Sequence, residues 1–151
     1  MGNIYLEVNI LKLKDIMSQE IACANSNDSI EKAAQLMKQY NVGSIPICSQ
    51  DKVIGIVTDR DIALRSVANG QYNQSVGDIM TQNPVTGTPD MDVHEAAKLM
   101  GEKQIRRLPV VENNSLVGIV SLGDISVEPR LQDNAEQALK NISQPTTNRF
   151  S

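Results

Sequence analysis

The stretch GIVTDRD at residues 55–61 returns as GIVSLGD at residues 118–124, an offset of 63 positions. With the same offset, residues 15–62 align with residues 78–125 without a gap, and 14 of the 48 aligned pairs are identical. A constant offset over such a length indicates two copies of one structural unit. The sequence therefore predicts a duplicated fold, in which a site formed by one copy has a counterpart in the other.

The composition is that of a compact folded protein, with 151 residues, 40% hydrophobic and 21% charged. Each copy has roughly 55 to 60 residues, which is marginal for independent folding because small domains bury too little surface. We therefore expect the two copies to bury their apolar faces against each other as one inseparable pair. Because Trp is absent and there is one Phe, the core must consist of Ile, Val, Leu, Ala and Met.

Charge and cysteine content exclude several classes of protein. The formal net charge is −4 and the pI is about 4.9, which argues against a nucleic-acid-binding protein. The sequence has no apolar run long enough to span a membrane and no signal-peptide pattern at its start. Cys23 and Cys48 lie in apolar, strand-like runs, which predicts buried, reduced thiols and a cytoplasmic protein.

Each copy contains an amphipathic helix followed by a hairpin. The apolar stripe of the first helix is Ile30, Ala33, Ala34, Met37 and Tyr40, and that of the second is Val93, Ala96, Ala97 and Met100. Asp28 with Glu31, and Asp92 with Glu95, have the spacing of helix N-terminal caps. The predicted hairpins have strands at 45–48 and 53–57, then 108–111 and 116–120, with turns at 50–52 and 113–114.

Pro46 and Pro109 occupy the same place in the two hairpins. Because proline lacks the N–H that a sheet needs, each marks a sheet edge, a bulge or a place where something other than a strand approaches the backbone. Further elements are predicted as follows: strands near 21–24 and 85–88, helical turns at 13–17 and 76–80, a helix from Thr58 to about Asn69, and a counterpart after Ser121 that Pro129 cuts short.

Each copy is thus expected to have the order β-α-β-β-α. The predicted segments are residues 1–11, repeat one at 12–70, repeat two at 71–128, and a polar tail at 129–151 with one helix at 135–142 and disorder after 144.

Thr58-x-x-Asp61 and Ser121-x-x-Asp124 stand where a buried strand gives way to a helix. In one interpretation the hydroxyl and the carboxylate only cap the helix. In the other, the helix start and the hydroxyl bind a phosphate, and the carboxylate binds the diol of a ribose. The residues alone leave both interpretations open.

Taken together, the repeated motifs resemble a pair of CBS (cystathionine-β-synthase) domains, also called a Bateman module. The resemblance covers about residues 12–127 and rests on the Ile/Leu-Pro-Ile/Val strands, on the two G-I-V-[TS]-x-x-D stretches, and on Asp-Ile-Met at 15–17 and 78–80. It implies an α+β fold of two tandem β-α-β-β-α repeats, packed as one pseudo-two-fold pair.

The resemblance also implies an adenosine-containing regulatory ligand in the cleft between the repeats: AMP, ADP, ATP, S-adenosylmethionine, NAD or a cyclic dinucleotide. Carried over to this sequence, the acids would hold the ribose, the hydroxyls would lie near the phosphates, and main-chain groups would frame the adenine. The implied ligand-binding residues are Thr58, Asp61, Ser121, Asp124, Ile45, Pro46, Leu108, Pro109, Arg107, Arg60, Ala22, Ala24 and Val85.

The two copies differ in their arginines. Arg60 and Arg65 of copy one correspond to Gly123 and Glu128, whereas Arg106 and Arg107 of copy two correspond to Gly43 and Ser44. Arginine is the usual planar partner of phosphate, but each of these is equally readily a solvated surface cation.

We find no sequence signal for catalysis. His94 is the one histidine and is expected to be exposed, and Met17, Met37, Met80 and Met100 are expected to fill the core. No Cys/His cluster has metal-ligand spacing, and no nucleophile has a plausible base beside it.

The sequence therefore predicts a non-enzymatic sensor that binds an adenosine ligand, forms a homodimer and signals to a separate effector protein, with no role in nucleic-acid or membrane binding. The expected dimer contacts are Ile62, Ala63, Val67 and the surface around Met100. The alternative is a ligand-free scaffold for dimerisation and partner docking.

Overall fold

The computed structural model describes residues 10–129, so the predicted helix at 135–142 and the predicted disorder beyond it lie outside the described residues. The helices are α1 Leu13–Ile16, α2 Ile30–Tyr40, α3 Asp59–Asp61, α4 Val76–Ile79, α5 Val93–Lys103 and α6 Leu122–Val127. The strands are β1 Ala24–Asn25, β2 Ser44–Ser49, β3 Lys52–Thr58, β4 Thr81–Gln82, β5 Arg107–Glu112 and β6 Ser115–Ser121. The mixture of helices and strands confirms the α+β class.

The chain divides into two compact units whose limits differ from those of the repeats. The first unit consists of Glu20–Val85 and Val111–Leu116. The second unit contains, within the described residues, 10–19, Thr86–Val110 and 117–129. Helix α1, which opens copy one, therefore belongs to the unit that holds the helix of copy two, and α4 belongs to the unit that holds the helix of copy one.

In the first unit, β1 runs parallel to β2, and β3 runs antiparallel to both β2 and β4. The start of α4 is fixed by main-chain bonds: Val76 N donates to Asp28 O at 2.9 Å, and Gly77 N donates to Ser26 O at 2.9 Å. The core combines α2, β1, β2, β3 and α4, and its members are Ala24, Ile30, Ala33, Met37, Ile45, Ile47, Val57, Val76 and Ile79.

The second unit repeats this plan with α1 in the place of α4. Leu13 N donates to Met91 O, and Val93 N donates to Leu11 O, both at 2.9 Å. Ser18 pairs with Ile119 in an antiparallel bridge, which is the counterpart of the pairing of β4 with β3. The buried side chains include Leu13, Val93, Ala96, Ala97, Met100, Leu108, Val110, Val120, Leu122 and Ile125.

The helix predictions are confirmed in position and corrected in detail. Ser29, not Asp28, is the N-cap of α2, because the Ser29 hydroxyl accepts from Lys32 N at 3.0 Å. Asp28 instead accepts from Asn25 N at 2.9 Å and so closes the turn before the helix. Asp92 does cap α5, but it accepts from His94 N at 2.8 Å and not as part of a box with Glu95.

The apolar stripe of α5 is buried as predicted, whereas that of α2 is narrower than predicted. Ala34 and Tyr40 are exposed, so the α2 contribution to the core comes from Ile30, Ala33 and Met37. The helix after Thr58 is confirmed, and it continues from α3 through a π-helical turn, Ile62–Ser66, and a 3-10 turn, Val67–Asn69.

Both hairpins and their turns are confirmed. The turn residues Gln50, Asp51, Asn113 and Asn114 all have positive φ, as a two-residue turn between twisted strands requires.

The strands predicted at 21–24 and 85–88 are wrong in length. Only Ala24 and Asn25 form β1, and in copy two a single bridge joins Gly87 to Val110. Strand β4 was not predicted.

Two of the three explanations offered for proline within a strand, a sheet edge and a bulge, apply at Pro46. Pro46 pairs with Ile56 of β3, while the pairing of β2 with β1 starts one residue later, at Ile47. The register against β3 shifts between Ile47 and Cys48. Pro46 therefore lies outside the pairing of β2 with β1 and beside a bulge, which are positions at which a sheet tolerates proline.

Candidate functional site

We call the strand-to-helix junction at residues 55–61 the first corner and that at residues 118–124 the second corner. In the first corner, the Thr58 hydroxyl accepts from Asp61 N at 3.0 Å, and the Asp61 carboxylate accepts from Thr58 N at 3.0 Å. This is a reciprocal capping box. Arg65 Nε lies 3.7 Å from the Asp61 carboxylate, whose side chain is 15% exposed.

The Asp61 carboxylate therefore already stabilises the fold of its own unit. Arg65 is also fixed at its other end, because its Nη1 donates to Ile79 O at 3.1 Å. Sequence reasoning missed this arrangement, although an acid and an arginine four residues apart on a helix are a recognisable signal.

The second corner has the same backbone geometry but a different carboxylate environment. The Ser121 hydroxyl accepts from Asp124 N at 3.0 Å, as in the first corner. The Asp124 side chain is exposed, and within residues 10–129 its carboxylate makes no hydrogen bond or ion pair. Position 128 holds Glu in place of the arginine of the first corner. Asp124 is therefore available to an external donor.

These groups define what each corner can do chemically. A carboxylate accepts hydrogen bonds from two neighbouring hydroxyls, as on a ribose, without competition from a proton of its own. The Ser121 and Thr58 hydroxyls each accept a main-chain bond, and each keeps an O–H to donate to an anion. The second corner offers both functions with an unoccupied carboxylate, whereas in the first corner Asp61 already accepts one hydrogen bond and lies beside Arg65, which leaves fewer acceptor positions for a diol.

Most of the strand residues of the predicted site have buried side chains. The Ile45 and Leu108 side chains are fully buried in the core, and Pro46 and Pro109 are buried as well. Ala24 is buried, while Ala22 and Val85 are half-buried. Their role in ligand binding stays a prediction.

Each proline-bearing strand is connected to the helix of its corner by one main-chain bond. Asp59 N donates to Gly43 O at 2.9 Å in the first unit, and Leu122 N donates to Arg106 O at 2.8 Å in the second. The Arg106 backbone is thereby held against the first residue of α6. Among residues 10–129, the guanidinium groups of Arg60, Arg106 and Arg107 make no hydrogen bond or ion pair.

The other residues singled out in the sequence have structural positions. His94 is exposed as predicted, and Met37 and Met100 are buried as predicted. Met17 and Met80 are partly buried. Cys48 is buried as predicted, but the prediction for Cys23 is wrong, because Cys23 is exposed.

Within the described residues we find no group of three or more His, Cys, Asp or Glu side chains that could hold a metal ion. No helix between residues 10 and 129 is long and apolar enough to cross a membrane.

Comparison with known proteins identifies the family. The model of the CBS domain matches residues 13–67 and again residues 76–128. The CBS domain-containing protein YhcV of Bacillus subtilis is 47% identical over 132 residues, which cover 87% of this chain and 94% of the relative.

Two solved structures add to this. The CBS domain pair of protein MJ0100, in complex with 5′-methylthioadenosine and S-adenosyl-L-methionine, is 36% identical with a TM-score of 0.70, covering 78% of this chain and 94% of that one. Hypoxic Response Protein I, with two coordinated zinc ions, is 30% identical with a TM-score of 0.72, and the match covers 78% of this chain and 98% of that one. The chain belongs to the CBS domain family, whose domain pairs are regulatory modules.

Proposed function

We propose that this CBS domain protein is a non-enzymatic sensor that binds an adenosine-containing ligand, with AMP, ADP or ATP expected first, and signals to a separate protein partner. The observation that carries the proposal is the free, exposed carboxylate of Asp124, three residues after a hydroxyl that keeps a donor of its own. A carboxylate placed only to cap the helix would accept from the N-cap N–H, as Asp61 does.

The ligand of a similar protein supports a carboxylate that recognises a diol. The compounds in the complex of the MJ0100 domain pair, 5′-methylthioadenosine and S-adenosyl-L-methionine, share an adenine and a ribose diol, and neither carries a phosphate. The groups common to such ligands are therefore the ones that a carboxylate and strand main-chain groups bind. We infer that Asp124 makes the stronger ribose contact and Asp61 the weaker one.

Arg106 and Arg107 indicate whether the expected ligand carries a phosphate. Arg106 and Arg107 flank the second corner and make no hydrogen bond or ion pair within residues 10–129. A guanidinium group forms paired hydrogen bonds with phosphate oxygens. The carboxylate of S-adenosylmethionine also accepts such bonds, but the sulfonium and ammonium groups of that ligand offset its negative charge, so two arginines suit phosphates better. These two residues favour a nucleotide over S-adenosylmethionine.

Isothermal titration calorimetry tests the proposal with AMP, ADP, ATP, S-adenosylmethionine, NAD and cyclic di-AMP. We expect one of the phosphate-bearing compounds to bind saturably. Asp124→Asn should weaken that binding by roughly 10- to 100-fold, because a hydrogen bond to a charged group contributes about 1.5–3 kcal/mol. Asp61→Asn should weaken it less.

Matched controls separate the parts of the ligand. The 2′-deoxy form of the bound nucleotide should lose as much affinity as Asp124→Asn does, and the variant should no longer distinguish the two forms. Arg107→Ser, which introduces the residue found at the matching position of copy one, should lower affinity for nucleotides alone. A flat titration with all six compounds, from folded protein, would reject the sensor in favour of the ligand-free scaffold.

Self-association is part of the proposal. The helix after Thr58 exposes Leu64 and Val67, whose side chains are 51% and 54% accessible, and such an apolar face is available to a second copy. The surface around Met100 stays a predicted contact, although the Met100 side chain itself is fully buried. Light scattering of the eluting protein should give the mass of a homodimer, and Val67→Glu should give the mass of a monomer.

A further inference from the structure

Cys48 lies on β2, and Cys23 comes directly before the neighbouring strand β1, on the same side of the sheet. Strand β1 pairs with β2 in the register Ala24 with Ile47 and Asn25 with Cys48. Side chains alternate between faces along a strand, so Cys23, two residues before Asn25, shares the face of Asn25 and therefore of Cys48. The two thiols are diagonal neighbours across one strand pair.

The environments of the two thiols differ. Cys23 is exposed, whereas Cys48 is 7% exposed. Burial raises the pKa of Cys48 to about 11, with further contributions from the charge and hydrogen bonding of the nearby Cys23 and from Asp51. The direct effect of one thiol on the other agrees with the closeness that the strand register requires. One sulfur is thus open to reagents from solvent, and the other is shielded behind it.

We propose that Cys23 and Cys48 form a reversible intrachain disulfide when the protein meets a small-molecule disulfide. The exposed Cys23 thiolate attacks one sulfur of the reagent, and a mixed disulfide forms as one small thiol leaves. The Cys48 thiol loses its proton to solvent and attacks Cys23 Sγ, which releases the second small thiol. One reagent disulfide is reduced to two thiols while two protein thiols are oxidised to one disulfide, so electrons and protons balance.

The backbone around Cys23 allows the bond to close. With strands about 4.8 Å apart and a rise of about 3.3 Å per residue, diagonal neighbours on parallel strands have Cα atoms about 8 Å apart, beyond the span of about 4.4–6.8 Å in disulfides. Cys23 precedes the first paired residue of β1 and belongs to no strand, so its backbone can move without breaking a ladder pair. The backbone before β1 is therefore the part that adjusts.

The second copy shows that the fold itself does not require this pair. The positions that match Cys23 and Cys48 hold Thr86 and Val111. Val111 is buried, like Cys48, so the fold accommodates an aliphatic side chain there. The thiol pair is thus a feature of one copy alone, and the other copy supplies conservative replacements for testing it.

The test uses the full chain, reduced and then incubated with oxidised glutathione at mildly alkaline pH. Remaining thiols are alkylated, and the protein is examined by intact mass, by peptide mapping and on a non-reducing gel. We expect a monomeric chain that has lost two hydrogens, carries no alkyl group, yields a linked Cys23–Cys48 peptide pair, and recovers both thiols with dithiothreitol.

Two variants, each checked for folding by circular dichroism, resolve the order of the steps. Cys48→Val should stop at a stable glutathione adduct on Cys23, because the second thiol is missing. Cys23→Thr should leave the buried Cys48 unmodified over the same time. The proposal is overturned if the wild type keeps two glutathione adducts, forms disulfides between chains, or retains both free thiols.

Discussion

The two corners share a motif and a backbone but differ in what their carboxylates do. Asp61 completes a capping box and lies beside Arg65, whereas Asp124 makes no hydrogen bond or ion pair among residues 10–129 and is exposed. The difference arises from a few positions. The clearest is the position that holds Arg65 in the first copy and Glu128 in the second. The comparison teaches that a repeated S/T-x-x-D pattern combines two roles, structural in one copy and available for binding in the other.

The strongest test of this comparison lies at the glycine that opens each corner. A Cβ on Gly55 would overlap the Met80 side chain and lie 2.9 Å from the Thr81 carbonyl oxygen. The three atoms nearest a Cβ on Gly118 all belong to the Met17 side chain, whose flexible end can move aside. Gly55→Ala should therefore lower the free energy of unfolding by about 3 kcal/mol and Gly118→Ala by about 1 kcal/mol. Urea denaturation measures both, and equal losses would show that the two strands tolerate crowding alike.

The next effect concerns pH and copy one alone, because copy two has Val111 where copy one has Cys48. The pKa of Cys48 is raised from 9.0 to about 11 by burial, by Cys23 and by Asp51. A raised pKa stabilises the folded state fully below pH 9, and this contribution is lost as pH rises toward 11. Two pKa units correspond to at most about 2.7 kcal/mol.

Urea denaturation under reducing conditions between pH 8 and pH 11 tests whether stability falls as the pH rises. The wild type should lose more stability over the range than Cys48→Val, in which other alkaline titrations remain but the buried thiol is absent. Parallel pH curves for the two proteins would show that burial of this thiol costs the folded state nothing.

The sequence predicted the elements whose signals are local and repeated. Helix periodicity, the two hairpins and their turns follow from residues a few positions apart, and agreement of two copies strengthened each prediction. The cap of α2 was misassigned to Asp28, although Ser29 is the residue that lies 63 positions before Asp92. The exchange of α1 and α4 between units could not be predicted, because it depends on contacts between segments far apart in the chain.

The predicted site shows the same limit. The positions of Asp61 and Asp124 in equivalent corners could be read from the repeat. Their different availability could not, because it depends on whether a carboxylate turns toward the N-cap N–H or toward solvent. A pattern gives the spacing of a side chain and not its rotamer.

Replacing each aspartate with asparagine tests whether the two carboxylates contribute differently to the stability of the fold. Asp61→Asn replaces the carboxylate that accepts from Thr58 N and pairs with Arg65, so it should lower the free energy of unfolding by about 1.5 kcal/mol. Asp124→Asn keeps the main-chain bond to Ser121 and should change it by no more than about 0.3 kcal/mol. Thermal and urea denaturation of the two variants measure the contrast, and a larger loss for Asp124→Asn would refute the assignment of roles.

The smallest expected effect separates the capping box from the ion pair within the first corner. Arg65 is 53% exposed, lies 3.7 Å from Asp61 and donates to the Ile79 carbonyl, so Arg65→Gln should cost about 0.5 kcal/mol. Arg60→Gln, whose guanidinium makes no hydrogen bond or ion pair within residues 10–129, is the matched control and should cost nothing measurable. High salt should reduce the effect of Arg65→Gln and leave that of Asp61→Asn largely intact, because salt screens an exposed ion pair more than a short hydrogen bond. If Arg65→Gln costs as much as Asp61→Asn, the arginine and not the cap commits Asp61, and the Glu128 of the second corner alone would account for the freedom of Asp124.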